Sequence, residues 1–426
     1  MSSPTSKLVG FTKFITMIYT RVANLCLLVQ FLLIIICTGD DAFFSKKKAL
    51  SPVIFVPGDG GSQMDAKLNK TYTPHYICAK NSDWYSIWLN LEELVVPAIY
   101  CWVDNIKLHY NGTTRTTHNT PGVEIRVPGW GDPEVVEWID PTHNKAGAYF
   151  KDIANILIDL GYERKKNIRG APYDFRKAPN ELKQWFIDFK QLVEDIFELN
   201  EKTPVTLISH SMGSPLTLVF LQRQTLEWKA KYVKRLISLA GAWAGSVKAL
   251  KVFAMGDNLD SWLLLPNILK AGQITAPSTS YLLPSPLFWK HSEVLVETPS
   301  RVYTMSQMES FFQDIDNRVG WEMRKDTMRY TINFSPPEVE LHCLYGNDLD
   351  TVERLHYKKE VSVGVQPELI MGRGDGTVNE RSLRACHQWT DYQQANISNM
   401  ELSGVDHMSI LGHSDVLTYI KSVLEA

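Results

Sequence analysis

The apolar positions of this chain follow two periods in turn. Continuous apolar runs rich in β-branched residues occur at Pro52-Val53-Ile54-Phe55-Val56, Val205-Thr206-Leu207-Ile208, Arg235 to Leu239 and Val339 to Leu344. Such runs suit strands buried on both faces. Helical spacing fills the intervals. Tyr149, Ile153, Ile156, Leu157 and Leu160 share one helix face before Gly161, and Leu182, Trp185, Phe186, Phe189, Leu192, Val193, Ile196 and Phe197 share another. Val416, Leu417, Tyr419, Ile420 and Val423 mark a helix near the C-terminus, and Asn167 to Arg176 reads as a strand running into a loop. This alternation predicts an α/β fold with a mainly parallel sheet and helices on both faces.

Two stretches break the alternation. Residues 246–337 are rich in Leu, Pro, Trp and Tyr with few strand signals, which predicts a cap inserted between late strands of the sheet. Residues 76–102 are aromatic and aliphatic with no settled period. They suit either a satellite core or a docking surface. Trp and Leu between scattered polar residues fit the bilayer interface better, so Trp84, Trp88, Leu89 and Leu94 are expected to form a membrane-binding subdomain.

Candidate chemistry sits where one apolar run stops. After Ile208 come Ser209-His210-Ser211-Met212-Gly213, and a helical pattern starts at once through Leu216, Leu218 and Val219. A serine at a strand, turn and helix junction with small residues two before and two after it is the arrangement of a nucleophile elbow. Ser209 stands where Gly is usual. A serine at the position of Ser211 also suits a helix N-cap, so its partners decide. A hydrolase of this fold places an acid and then a histidine later in the chain. Asp375 lies between Gly374 and Gly376 after Leu369-Ile370-Met371-Gly372, and His407 lies in a loop before the C-terminal helix. His413 competes with His407 but falls at the helix start; His210 neighbours Ser211 and cannot easily reach its hydroxyl. The turn Pro57-Gly58-Asp59-Gly60-Gly61-Ser62 follows the first strand, where backbone N–H groups can approach a reacting oxygen with no Cβ in the way. Together these predict an α/β-hydrolase core with Ser211 as nucleophile, His407 as base and Asp375 holding the imidazole.

Composition narrows the setting. The net charge of −3 over 426 residues favours no particular partner, and no basic stripe or stacking-aromatic module points to nucleic acid. No HExxH and no zinc-spaced Cys/His cluster occurs, so neither a metal nor a cofactor is implied. Lys7, Lys13 and Arg21, the uncharged run Val22 to Thr38 and the small residues around Gly39 have the order of a secretory signal over residues 1–39, followed by a domain over 40–426. An uncleaved anchor is the alternative, although the apolar run is short for a span. Beyond the leader, Cys78, Cys101, Cys343 and Cys386 allow three disulfide pairings. Asn69, Asn111, Asn333 and Asn396 each begin a glycosylation sequon, in keeping with export.

Val56-Pro57-Gly58-Asp59-Gly60-Gly61-Ser62-Gln63, Ile87-Trp88-Leu89-Asn90-Leu91, Arg169-Gly170-Ala171-Pro172-Tyr173-Asp174, His210-Ser211-Met212-Gly213 and Gly374-Asp375-Gly376-Thr377-Val378 together resemble the lecithin:cholesterol acyltransferase family. The resemblance covers nearly everything after the leader. It implies an α/β-hydrolase core, a cap and a disulfide-stapled membrane-binding subdomain, with the pairings Cys78–Cys101 and Cys343–Cys386. It also implies an oxyanion hole made by the backbone N–H groups of Asp59 and Met212. Gly60, where a larger apolar residue is common, and Gly241-Ala242-Trp243, where a Pro-Trp pair is expected, depart from the family's text and bear on acyl-chain preference and loop rigidity.

The activity so implied is a calcium-independent phospholipase A and O-acyltransferase. It would cleave glycerophospholipid esters through an acyl-serine and pass the acyl group to water or to a lipid alcohol such as ceramide. Its partners would be phospholipid membranes or lipoprotein surfaces, and its residence the lysosome lumen or the secreted space. A secreted sterol acyltransferase and a catalytically idle lipid-binding protein are the alternatives. A histidine base alone predicts activity that falls in acid; a carboxylate at Asp59, close to the developing oxyanion, would oppose that trend by becoming neutral.

Overall fold

The computed structural model describes residues 50–259, 265–362 and 364–425, together with scattered helical positions (17, 19–23, 25 and 30) of a separate N-terminal unit. The leader assigned to residues 1–39 otherwise lies outside the described residues. Among them no helix is long and apolar enough to cross a membrane.

Six strands form the central sheet: β1 (Val53–Val56), β2 (Ile168–Gly170), β3 (Val205–His210), β4 (Val233–Leu239), β5 (Glu340–Asn347) and β6 (Ile397–Ser403). Their order is β6-β5-β4-β3-β1-β2, and every pairing is parallel. Parallel strands need helices over both faces, which is why β1 and β3 are buried at every position and read as unbroken apolar runs. The helix Lys183–Leu199 buries Trp185, Phe186, Phe189, Leu192, Val193, Ile196 and Phe197, the face its spacing predicts. The helix Ser414–Glu425 packs on Lys151–Asp159 through Val416, Ile420 and Leu424.

The chain leaves β1 for the edge strand β2 and then crosses back to β3 on the other side of β1. The order reverses there. Loops from the C-terminal ends of β1 and β3 therefore lead in opposite directions at this switch point, the place where sheets of this kind hold ligands.

The insertion expected over 246–337 is a layer of helices, including Val247–Met255, Met308–Asp314 and Arg318–Ile332, with two strands, Val294–Glu297 and Val302–Thr304. Its boundary differs from the expectation. Those strands join Leu349–His356 and Glu368–Gly374 in a four-stranded sheet, so the excursion draws in chain from beyond β5. These strands leave little local signal because they are short and the first pairs with a segment far along the chain. Arg324 is buried in this layer and donates to the carbonyls of Ser280, Tyr281 and Pro284; burial lowers its guanidinium to about 10.

Residues 76–102 also have more order than their pattern shows. Asn81–Trp88 is an edge of a three-stranded sheet with Met64–Asn69 and Val123–Arg126, and Ala98–Ile106 is a helix. Cys78–Cys101 closes the segment at a Cα separation of 5.3 Å, and Cys343–Cys386 joins β5 to the turn before β6 at 6.8 Å. Asn69, Asn111, Asn333 and Asn396 are all exposed, as glycan acceptors must be.

Candidate active site

Ser211 directly follows β3 with φ +53°, a conformation that costs a non-glycine residue free energy and persists only where neighbours enforce it. They do so closely. A Cβ on Gly213 would lie 2.4 Å from the Pro57 carbonyl oxygen, and one on Gly58 would lie 2.7 Å from the Ser211 Cβ. The Ser211 N–H donates to the Leu239 carbonyl at 3.0 Å, tying the turn to β4. Ser209 fits where Gly is usual because its hydroxyl has company: its Oγ lies 2.9 Å from the Ser214 Oγ, which also takes a hydrogen bond from Ser238 at 2.8 Å. All three are buried.

The loop after β6 brings His407 over the elbow. Its Nε2 lies 2.8 Å from the Ser211 Oγ and its Nδ1 lies 2.6 Å from the Asp375 Oδ2. Asp375 is fully buried and comes from the turn after Glu368–Gly374; its Oδ1 accepts from the Thr377 and Val378 N–H groups at 3.0 and 2.7 Å, and its carbonyl accepts from the His407 N–H. Both carboxylate oxygens are thus used, one to hold the loop and one to hold the imidazole. His413 lies at the start of the last helix, where its Nδ1 accepts from the Asp415 N–H at 3.3 Å.

Two backbone donors flank Ser211: the Met212 N–H follows it in the chain, and the Asp59 N–H follows Gly58, on which a Cβ would lie 2.7 Å from the Ser211 Cβ. Met212 caps the ten-residue helix Gly213–Gln222, so its N–H adds to the positive end of a helix dipole. Among the described residues neither the Met212 nor the Asp59 N–H donates to another protein group. A developing oxyanion could take both. Loss of solvent around the Asp59 carboxyl pushes it up to about 7, against a hydrogen bond from the Gly60 N–H that favours the charge.

The stapled segment corrects the docking residues. Trp88, Leu89 and Leu94 are buried and cannot meet a bilayer. The Trp88 ring packs on Trp102 and Phe175 and donates from Nε1 to the Gly60 carbonyl at 2.7 Å. A Cβ on Gly60, whose φ is +72°, would sit 3.2 Å from that ring. The departure at Gly60 is therefore matched to Trp88. Of the four residues expected, Trp84 alone is exposed, at 37%, and Arg126 lies over its ring. The segment's other large exposed apolar residues are Tyr76, Ile77, Leu91, Val95, Val96 and Tyr100.

Two side chains at the site escaped the sequence reading. Tyr149 takes its place in a helical pattern like any core residue, and His210, next to Ser211 in the chain, cannot easily reach its hydroxyl. Their hydroxyl and imidazole meet at 2.5 Å beneath the triad, a contact across 61 positions of chain that no local pattern marks.

Known proteins resemble this chain over most of its length. A family model described as lecithin:cholesterol acyltransferase matches residues 84–414. The chain is 42% identical over 374 residues to the rat lysosomal phospholipase A and acyltransferase, covering 88% of this chain and 90% of that one, and equally to its human counterpart. It is 36% identical to the chicken phosphatidylcholine-sterol acyltransferase over 368 residues, 86% of this chain and 88% of that one. Among solved structures, a chain of the Tle4-Tli4 complex superposes with a TM-score of 0.50 at 12% identity, covering 88% of this chain and 98% of that one, a likeness of fold. With an all-parallel sheet, an elbow at its switch point and these relatives, the chain is an α/β-hydrolase that belongs to the lecithin:cholesterol acyltransferase family.

Proposed function

We propose that this protein is a calcium-independent phospholipase A and O-acyltransferase working through an acyl-serine. The observation that carries the reading is the Ser211–His407–Asp375 array on the elbow, with two unused N–H donors beside it. In the first half-reaction His407 Nε2 takes the Ser211 hydroxyl proton as Oγ bonds to the ester carbonyl carbon, and the Asp59 and Met212 N–H groups receive the negative oxygen. Collapse breaks the bond to the alcohol oxygen of the lysophospholipid, which leaves with the proton from His407. In the second half, water or a lipid alcohol gives its proton to His407 and attacks the acyl carbon; the bond from that carbon to Oγ then breaks, His407 returns the proton to Oγ, and Ser211 is regenerated as the fatty acid or acylated alcohol leaves.

The relatives named as phospholipase A and acyltransferase outrank the sterol acyltransferases in identity, which favours a non-sterol lipid alcohol such as ceramide as acceptor. Phospholipid surfaces are the partner this implies, with the exposed apolar residues of 76–102 as the contact. Their names also favour the lysosome lumen over the secreted space. The test is to label the purified protein with a fluorophosphonate and assay it on phosphatidylcholine liposomes containing ceramide or cholesterol. Labelling at Ser211 with acyl transfer to ceramide is expected. Absence of labelling excludes acyl-serine chemistry, and transfer to cholesterol alone establishes the sterol acyltransferase.

A further inference from the structure

His210 and Tyr149 are buried, titratable and used by no step above. Their hydrogen bonds have one consistent direction. The Gly58 N–H donates to the Tyr149 hydroxyl at 3.0 Å, so that hydroxyl's own proton is free to point at the His210 Nδ1, 2.5 Å away. A neutral imidazole that accepts at Nδ1 carries its proton on Nε2, and the His210 Nε2 lies 2.9 Å from the His407 carbonyl oxygen. Burial, then the nearby charge of His407, holds the His210 pKa well below the ordinary histidine value, which fits the neutral form. The chain thus runs from the residue before Asp59 to the backbone of the base.

The sheet makes no such link. β1, which leads into Gly58, and β6, which leads into His407, are separated by β3, β4 and β5. The glycines of the first loop are shaped for this contact as well as for a reacting oxygen. A Cβ on Gly58 would lie 3.1 Å from the Tyr149 hydroxyl, and one on Gly61 would lie 2.8 Å from the Tyr149 ring.

We infer that Tyr149 and His210 are positioning residues that hold the oxyanion loop at Gly58 and the base loop at His407 in register across Ser211. The inference rests on the roles given above to Ser211, His407 and the Asp59 N–H. Loss of the Tyr149 hydroxyl leaves the Gly58 N–H and the His210 Nδ1 without a partner, loss of the His210 ring leaves the Tyr149 hydroxyl and the His407 carbonyl without one, and either frees one loop from the other. Catalysis suffers because a reacting group misplaced by a fraction of an ångström loses much of its advantage.

The test measures kcat and KM on a short, water-soluble p-nitrophenyl ester for Tyr149→Phe, His210→Leu, the double variant and His210→Gln, per active site counted by fluorophosphonate titration. Each of the first two should lower kcat on the order of 10- to 100-fold with KM little changed. The double should fall no further than the worse single, since one chain is broken either way. Gln can accept from Tyr149 and donate to the His407 carbonyl, so His210→Gln should recover most of the activity. Should His210→Leu not fold, Tyr149→Phe, which removes a single oxygen atom, carries the decision. Wild-type kcat per site in Tyr149→Phe, or losses that multiply in the double, overturns the relay alone. A wild-type protein that takes no label at Ser211 overturns the underlying mechanism instead.

Discussion

The elbow and the stapled segment make an instructive pair. Both stand out in the sequence, one by its small residues around Ser211 and the other by its aromatic density. At the elbow, a positive φ and close backbone approach leave the side chain of Ser211 one direction to point, so its role follows from its place. The stapled segment instead divides its apolar residues between two faces. Ile87, Trp88, Leu89, Leu94, Ile99 and Trp102 turn inward, while Ile77, Leu91, Val95, Val96 and Tyr100 turn outward. Residue type says nothing about which face a side chain takes when no period is visible. A motif made by backbone strain can be read from a line of text, and a surface made by exposure cannot.

The largest effect falls on the elbow side of that contrast. Ser211→Ala removes the nucleophile while its neighbours keep their packing, so turnover of any ester should fall about 10⁴-fold or more. Thermal stability should hold or rise, because the strained serine no longer has to be presented. Activity of purified Ser211→Ala within a few-fold of wild type would remove Ser211 from the chemistry.

Trp88→Ala comes next and crosses the contrast. If Trp88 supports the oxyanion loop through the Gly60 carbonyl, its removal costs about 3–5 kcal/mol of stability from the lost core contacts. Turnover of a soluble ester should fall on the order of 100-fold as the loop shifts. A docking residue would behave otherwise, with liposome binding lost and soluble turnover kept. That pattern in Trp88→Ala would restore it to the membrane surface.

Changing Leu91, Val95 and Val96 together to Ser samples the outward face. Each loses roughly 1 kcal/mol or more of apolar contact with a bilayer, so liposome binding by co-sedimentation should weaken on the order of 100-fold. Hydrolysis of a soluble ester should stay near wild type. Equal loss of both would place these residues in the fold's support instead of its docking face.

The same contrast explains what the sequence made legible. The central sheet was readable because its strands are buried on both faces, as at Val53–Val56, and the triad because Asp375 and His407 sit in loops after apolar runs in the order the fold requires. The strands Val294–Glu297 and Val302–Thr304 were not, since each is short and the first pairs with chain elsewhere. Tyr149 was hidden for a similar reason: its ring belongs to a helical pattern, and only folding brings its hydroxyl under His210 and Gly58. Long-range contacts between ordinary residues leave no local trace.

The smallest effect separates the two regions by pH. A histidine base predicts activity that rises from acid to neutral, but the Asp59 carboxyl works in the other direction. Enclosure raises its pKa from 3.8 to about 7, and its charge lies close enough to Tyr149 and Tyr173 to oppose their ionisation. Below about 7 the group is neutral and tolerates an oxyanion at its own backbone N–H; above it the carboxylate repels that oxyanion. The stability linkage has the same sign. A carboxyl with a raised folded pKa favours the fold fully below 3.8, and that contribution is lost as pH rises through about 7. One pH unit above its pKa only about one carboxyl in ten remains protonated, so near pH 8 Asp59→Asn should exceed wild type by up to about tenfold on a soluble ester. In acid, where the wild-type group is already neutral, the two should agree within a few-fold. The optimum therefore moves toward neutral in Asp59→Asn, while the Leu91, Val95 and Val96 variant keeps the wild-type profile on that substrate. Superimposable pH–rate curves for wild type and Asp59→Asn would show that the carboxyl does not face the reacting oxygen.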